Sequence, residues 1–197
     1  MSQILVGTRK GLFFVERTKG NWKIARTAFL GDNVPMVHRD PASGMIWTAL
    51  EHGHFGTKLH RSADGGATWE ECAPPAYPED AQKEVWEIPM FGKVPMTVEK
   101  IWALESIGDA LWCGTIPGGI FVSRDRGTSW ELVRGLWNHP SRKKWGGGGA
   151  KYPGIHSIEA DPGDPRRIFV GVSTGGVWLT EDGGATWSAR SQGLRAE

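Results

Sequence analysis

Three stretches of this chain concentrate side chains that could do chemistry. Glu51-His-Gly-His-Phe-Gly56 sets a carboxylate and two imidazoles close together. Alternate residues of an extended segment share a face, and imidazole is a common metal ligand. Two histidines still need a spaced third ligand, which His139 and His156 supply only if their loops converge, so no metal site is expected. The stretch 74–98 carries Tyr77, Glu79, Asp80, Glu84, Trp86 and Glu87, a set of carboxylates suited to acid–base work beside an indole suited to stacking on a sugar. The third stretch, Trp137-Asn-His-Pro-Ser-Arg-Lys-Lys-Trp-Gly-Gly-Gly-Gly-Ala-Lys-Tyr-Pro153, offers Arg142-Lys-Lys144 to an anion and Trp145 and Tyr152 to a ring. Its glycines 146–149 lack the Lys-Ser/Thr that follows a phosphate-cradling loop and read as a hinge.

The elements that must position these groups follow from a repeat. Ser62-Ala-Asp-Gly-Gly-Ala-Thr-Trp69, Ser123-Arg-Asp-Arg-Gly-Thr-Ser-Trp130 and Thr180-Glu-Asp-Gly-Gly-Ala-Thr-Trp187 are copies of one motif. Trp69 and Trp130 are 61 residues apart and Trp130 and Trp187 are 57 apart, a period that fits four short strands with turns. Asp accepts backbone N–H bonds in a tight turn, Gly supplies positive φ, and the closing Trp opens a strand with a large apolar anchor. Each copy is preceded by strand-like alternating runs: 34–39, 45–50 and 57–62; 100–105, 110–115 and 119–123; 155–160, 168–173 and 176–180. Residues 1–33 read as the same unit without its first strand, with Thr18-Lys-Gly-Asn21 replacing the aspartate turn.

The motif resembles the Asp-box (BNR) repeat, S/T-x-D-x-G-x-T-W, of sialidase-like and sortilin-like β-propellers and of a photosystem assembly factor. Ser129 stands where Thr is usual in the middle copy. The resemblance implies an all-β propeller of four-stranded antiparallel blades with about three and three-quarter blades, a partial ring. Residues 1–197 form a single propeller segment: an incomplete blade at 1–33, full blades at 34–75, 98–137 and 155–197, and loop insertions at about 76–97 and 138–154. Structural roles fall to Asp64, Gly66, Trp69, Asp125, Gly127, Trp130, Asp182, Gly184 and Trp187. Core positions are Trp69, Trp130 and Trp187, with Trp47, Trp112 and Phe169 in the second strands, and residues 78–88 are the place for a helical turn.

Meander topology puts the aspartate turns on one face. The opposite face receives the strand-2-to-3 turns and the connections between blades, and therefore the ligand-binding residues Arg9, Glu51, His52, His54, Trp86, Arg142 and Trp145. Lys10, Asp32 and Thr115-Ile-Pro-Gly-Gly119 emerge there too. A sialidase-like glycoside hydrolase would use a tyrosine nucleophile, and the resemblance then nominates Tyr152 with Glu87 as the catalytic pair. The Arg-Ile-Pro motif typical near a sialidase N-terminus is absent, so a non-catalytic scaffold that binds a ligand, a carbohydrate or a protein, is the first expectation and the hydrolase the alternative.

Composition narrows the partners. Lys and Arg number 23 against 22 Asp and Glu, a formal charge of +1 that gives no footprint for nucleic acid or acidic membranes. No apolar run reaches transmembrane length and no leader-like apolar stretch opens the chain. Cys72 and Cys113 fall in different blades and are expected as reduced thiols, which makes the cytoplasm the expected location. No cofactor is expected. The missing first strand predicts either further blades or self-association, since open sheet edges invite pairing.

Overall fold

Short hairpins build the whole chain. In the computed structural model, which describes residues 2–146 and 150–193, the chain divides into two compact units, Met1–Pro74 and Pro75–Glu197.

The first unit holds two antiparallel meanders. β1 (Gln3–Thr8), β2 (Gly11–Thr18) and β3 (Asn21–Ala28) form a three-stranded sheet in that order. β4 (Asn33–Arg39), β5 (Ile46–Glu51), β6 (Thr57–Ser62) and β7 (Glu70–Cys72) form a four-stranded one. Alternation decides how they pack. Leu5, Leu12 and Phe14 point from the first sheet onto Val34, Ile46 and Leu50, and this cluster is the unit's core. Burying each such side chain contributes roughly 1.5–3 kcal/mol.

The second unit begins with α1 (Glu79–Gln82) and the small hairpin β8 (Glu87–Ile88) and β9 (Gly92–Lys93). Two four-stranded meanders follow. One is β10 (Lys100–Ile107), β11 (Ala110–Ile116), β12 (Ile120–Ser123) and β13 (Glu131–Leu132). After α2 (Arg134–Trp137) comes the other: β14 (Ile155–Asp161), β15 (Asp164–Val172), β16 (Gly176–Thr180) and β17 (Ser188–Ala189). Every residue of β11 and β12 is buried: the last sheet packs on the Trp112 side, and Tyr77 of the preceding loop lies against Phe121, ring centroids 5.2 Å apart. The fold is all-β, a partial β-propeller of four-stranded antiparallel sheets whose first sheet lacks one strand. Among the described residues no helix is long and apolar enough to cross a membrane, and both cysteines are free and buried.

The three aspartate turns are self-satisfied. In the first, the Ser62 hydroxyl donates to Asp64 Oδ1 (2.8 Å) and accepts from the Gly66 N–H (2.7 Å). Asp64 also accepts from the Thr68 N–H (2.9 Å) and the Thr68 hydroxyl (2.7 Å). Asp125 repeats the pattern with Ser129, whose hydroxyl donates at 2.6 Å, so the Ser at this position replaces Thr without loss of the bond. Asp182 repeats it with Thr180 and Thr186. These bonds, led by those from the Ser129 and Thr186 hydroxyls, hold the Asp125 and Asp182 carboxyls down at about 2, and Asp64 well below the usual carboxylate range.

Three expected core positions differ. Trp187 is buried, but Trp69 and Trp130 are only half-buried. Trp69 lies edge-on against Phe29, ring centroids 5.0 Å apart, which covers one side of the indole. Trp47 and Trp112 are buried as expected, whereas Phe169 is half-buried. It belongs to the last sheet, on a row with Glu159 and Leu179, and among the described residues no further sheet packs on it from that side.

Candidate binding site

In the first unit, one end of the two sheets is tied into a rim by three connections. The β1–β2 turn carries Arg9 and Lys10, and the Lys10 carbonyl accepts from the Gly31 N–H (3.2 Å) in the β3–β4 connection. The next residues of that connection reach the end of β5. Asp32 Oδ1 lies 3.4 Å from His52 Nε2, an ion-pair distance without hydrogen-bond alignment. Asn33 donates to Glu51 Oε2. The β5–β6 turn is a 3-10 turn over Gly53–Phe55, possible because Gly53 and Gly56 take positive φ. It exposes His54 and leaves the Phe55 ring 82% exposed. Nearby, His60 packs on Phe29 at 5.0 Å, and burial lowers its pKa.

The structure thus brings Glu51 and His52 together and joins to them Asp32, which the sequence placed on this face, and Asn33, which it did not single out. Arg9 is exposed on the neighbouring turn. Phe55 was legible only as part of the Glu51–Gly56 stretch, since nothing in the spacing says which way its ring points.

In the second unit the long loops are packed together. Arg142 is 1% exposed, with Cζ 3.7 Å from the Trp137 ring centroid and 4.8 Å from that of Trp86. Its Nη2 donates to Glu84 Oε2 (2.5 Å), and Lys143 Nζ lies 3.0 Å from Glu84 Oε1. Desolvation pulls the guanidinium pKa down and Glu84 pushes it back up. Trp86, Trp145 and Trp178 form a run of edge-on rings with centroids 6.4 and 5.7 Å apart, ended by His139 at 4.7 Å from Trp178. Tyr77 is buried and donates to the Pro117 carbonyl (2.7 Å), and burial pushes its phenol well above the ordinary value. Trp86, Trp145, Arg142 and Tyr152 are all buried. Trp86, Arg142 and Trp145 clamp loop 76–97 to the start of loop 138–154, and their aromatic and cationic surfaces meet each other. Glu87 is exposed on β8, opposite Lys93. Of the glycine run, Gly147, Gly148 and Gly149 lie outside the described residues.

The expected separation of faces does not hold at the third aspartate turn. β13 is two residues long, so the chain leaves the sheet early and α2 runs beside the turn at Asp182. A Cβ on Gly135 would stand 2.3 Å from the Ala185 carbonyl oxygen. An open groove of about 470 Å³ lies here between Asn138, His139 and Pro140 on one side and Ala185, Thr186 and Trp187 on the other. Arg134 edges it, held by Asp80 through two bonds of 2.7 and 2.9 Å. Only by Trp145 has the loop reached the opposite end, where its ring approaches the positions of Gly118 and Gly175 in the strand-2-to-3 turns. Among the described residues, no group of three or more His, Cys, Asp or Glu could hold a metal ion.

No family model matches the chain. A curated relative, the oligoxyloglucan-reducing end-specific xyloglucanase of Emericella nidulans, is 34% identical over 82 residues, which are 41% of this chain and 9% of that protein. Among solved structures, the GH74 xyloglucanase from Xanthomonas campestris matches 98% of this chain at a TM-score of 0.63 and 19% identity. The GH74 enzyme of Niastella koreensis matches 95% at 0.62, also at 19% identity. YCF48 bound to D1 peptide matches 98% at 0.57 and 15% identity. This chain spans 29%, 27% and 52% of the lengths of those three chains. At such identities the structural likenesses establish the fold, a portion of a β-propeller.

Proposed function

We propose that this chain is an Asp-box propeller segment that acts as a binding scaffold. Its ligand is a neutral oligosaccharide of the xyloglucan type, held at the rim of the first unit. The observation that carries the reading is the fixed polar set Asp32, Asn33, Glu51 and His52, which shares a turn with an exposed aromatic ring, Phe55. Sugar recognition needs such a set: hydrogen-bonding groups held in place, and an apolar ring face for the C–H side of a pyranose. The partial identity to a xyloglucanase supports the carbohydrate class. Arg9 and His54 lie on turns of the same rim and extend it.

A hydrolytic reading is favoured by that same identity and needs its own test. Its sialidase-like form, with Tyr152 as nucleophile and Glu87 as acidic partner, has weaker support. Tyr152 is buried, and the other tyrosine, Tyr77, is held protonated by burial.

Calorimetric titration of the protein with xyloglucan oligosaccharides is expected to give saturable binding. Glu51→Gln and Phe55→Ala should each weaken it about tenfold or more, equivalent to about 1.4 kcal/mol, with unchanged thermal melts. No saturable binding to any glucan oligosaccharide at millimolar concentration overturns the carbohydrate reading. Release of reducing ends from xyloglucan, lost on Glu51→Gln or on Tyr152→Phe, would move the protein into the hydrolase class.

A further inference from the structure

Sheet follows sheet in this chain by a shared device. The second glycine of an aspartate turn lies flat on an aromatic ring of the preceding sheet. A Cβ on Gly66 would meet the Phe14 ring at 2.4 Å, so only hydrogen leaves room there, and one on Gly184 would press on the Trp112 ring at 3.1 Å. Trp112 lies in the second strand of its sheet. The matching residue of the first sheet is Leu5, which has no ring, but its cross-strand partner Phe14 supplies one. In the last sheet the matching residue is Phe169 in β15, on the row Glu159–Phe169–Leu179 as Trp112 is on the row Glu105–Trp112–Val122. Phe169 is half-buried, with the Arg167 guanidinium over its ring at 5.4 Å.

The first sheet offers the other half of the same joint. Its face turned away from the core carries the cross-strand row Ile4–Val15–Ile24, flanked by Val6 and Trp22. Ile4 is 49% and Ile24 61% exposed. The turn between its last two strands contains Gly20, at φ 85° and with no atom within 4 Å of where a Cβ would stand. Arg17 is exposed on this face and Glu159 on the last one, so their charges are opposite.

We propose that the outward face of the first sheet in one copy of this chain docks on the outward face of the last sheet in a second copy, with the Gly20 turn over Phe169. The joint repeats the sheet-to-sheet packing that the chain already makes twice, and its two surfaces differ, so the association is head-to-tail. The continuous apolar area on the first sheet, Ile4, Val6, Trp22 and Ile24, is of the kind that marks an interaction site. The inference is independent of any sugar ligand.

Light scattering coupled to size exclusion, run from about 5 to 200 µM, tests it. The parent chain should shift from monomer to larger species. Ile24→Lys and Phe169→Ala should each raise the apparent dissociation constant at least tenfold. Both sites are partly exposed, and matching circular dichroism and melts would show that the variants fold. A mixture of the two variants decides the geometry. The Ile24→Lys chain keeps an intact last face and the Phe169→Ala chain an intact first face, so the mixture should form a 1:1 heterodimer of near-parental affinity that neither forms alone. A parent that stays monomeric at 200 µM overturns the proposal, as does association that neither variant weakens, or a mixture that remains monomeric.

Discussion

Asp64, Asp125 and Asp182 show how much one side chain can organise. Each accepts from a hydroxyl two residues before it and from the N–H and hydroxyl of the residue four positions on. The Asp125 and Asp182 carboxyls sit at about 2 in the folded chain, against about 3.9 when unfolded. A carboxyl lowered by folding contributes stability above its unfolded value and loses it as pH falls through the folded one. Asp125→Ala should therefore lower the melting temperature at pH 7, and the gap from the parent should close between about pH 4 and pH 2. A gap that stays constant over that range would mean that the carboxylate charge is irrelevant to the turn. Tyr77 makes a different prediction. Tyr77→Phe removes one of two hydroxyl bonds to the buried Pro117 carbonyl, the other coming from Thr115, at a cost of about 0.5–1.5 kcal/mol, which denaturant unfolding would read.

At the scale of elements, the glycine-on-ring joints and the loop clamp are the positions where small changes matter. Gly66→Ala meets both a ring contact of 2.4 Å and a φ of 88°. Left-handed backbone alone costs a non-glycine residue roughly 1–2 kcal/mol, and the ring must also move. The neighbouring Gly65 has open space around it, so Gly65→Ala should cost less, and equal melts for the two would sink the packing account. In the second unit, Arg142→Ala removes the pair to Glu84 and the stack on two indoles. Breaking a buried pair by deleting one partner costs about 3–5 kcal/mol. Lys143 stays with Glu84, which places the expected loss at the lower end. Hydrogen exchange should show faster amides over 138–145 with β11 unaffected.

These elements also show what the sequence made legible. The aspartate turn fixes the strands on either side of it, so the runs at 57–62 and 176–180 match β6 and β16 residue for residue. The helical turn expected within 78–88 is α1. The loop chemistry was harder to read, because a long connection has no periodicity to say which side faces inward. Trp86, Arg142, Trp145 and Tyr152 look like ligand groups by type, yet all four are buried, the first three against one another. The exit of the chain after two residues of β13, and with it the groove beside Asp182, depends on a strand length that the alternating pattern leaves open. The rim pairs Asp32–His52 and Asn33–Glu51 join residues about twenty apart, a register decided by how β4 and β5 align.

At the scale of the whole molecule, each of the two units holds one such sheet-to-sheet joint, and among the described residues the first sheet and the last each keep an outward face that no other sheet of its unit covers. Stability in such arrays accrues from sheets and from the joints between neighbours, so variants at the two uncovered faces should leave the melt almost unchanged while altering association. The aspartate turns carry a further implication. Most bonds that shape such a turn are made among its own few residues, and the adjoining sheet adds little, as where Arg26 donates to the Gly65 carbonyl. What passes between neighbours is chiefly a flat ring against a bare glycine. A gene encoding such a chain can gain or lose a segment of about sixty codons without rewriting the segments around it, because each carries its own fold instructions and the same generic coupling. Divergence is then free to act on the connections, where the rim of the first unit and the clamp of the second already differ.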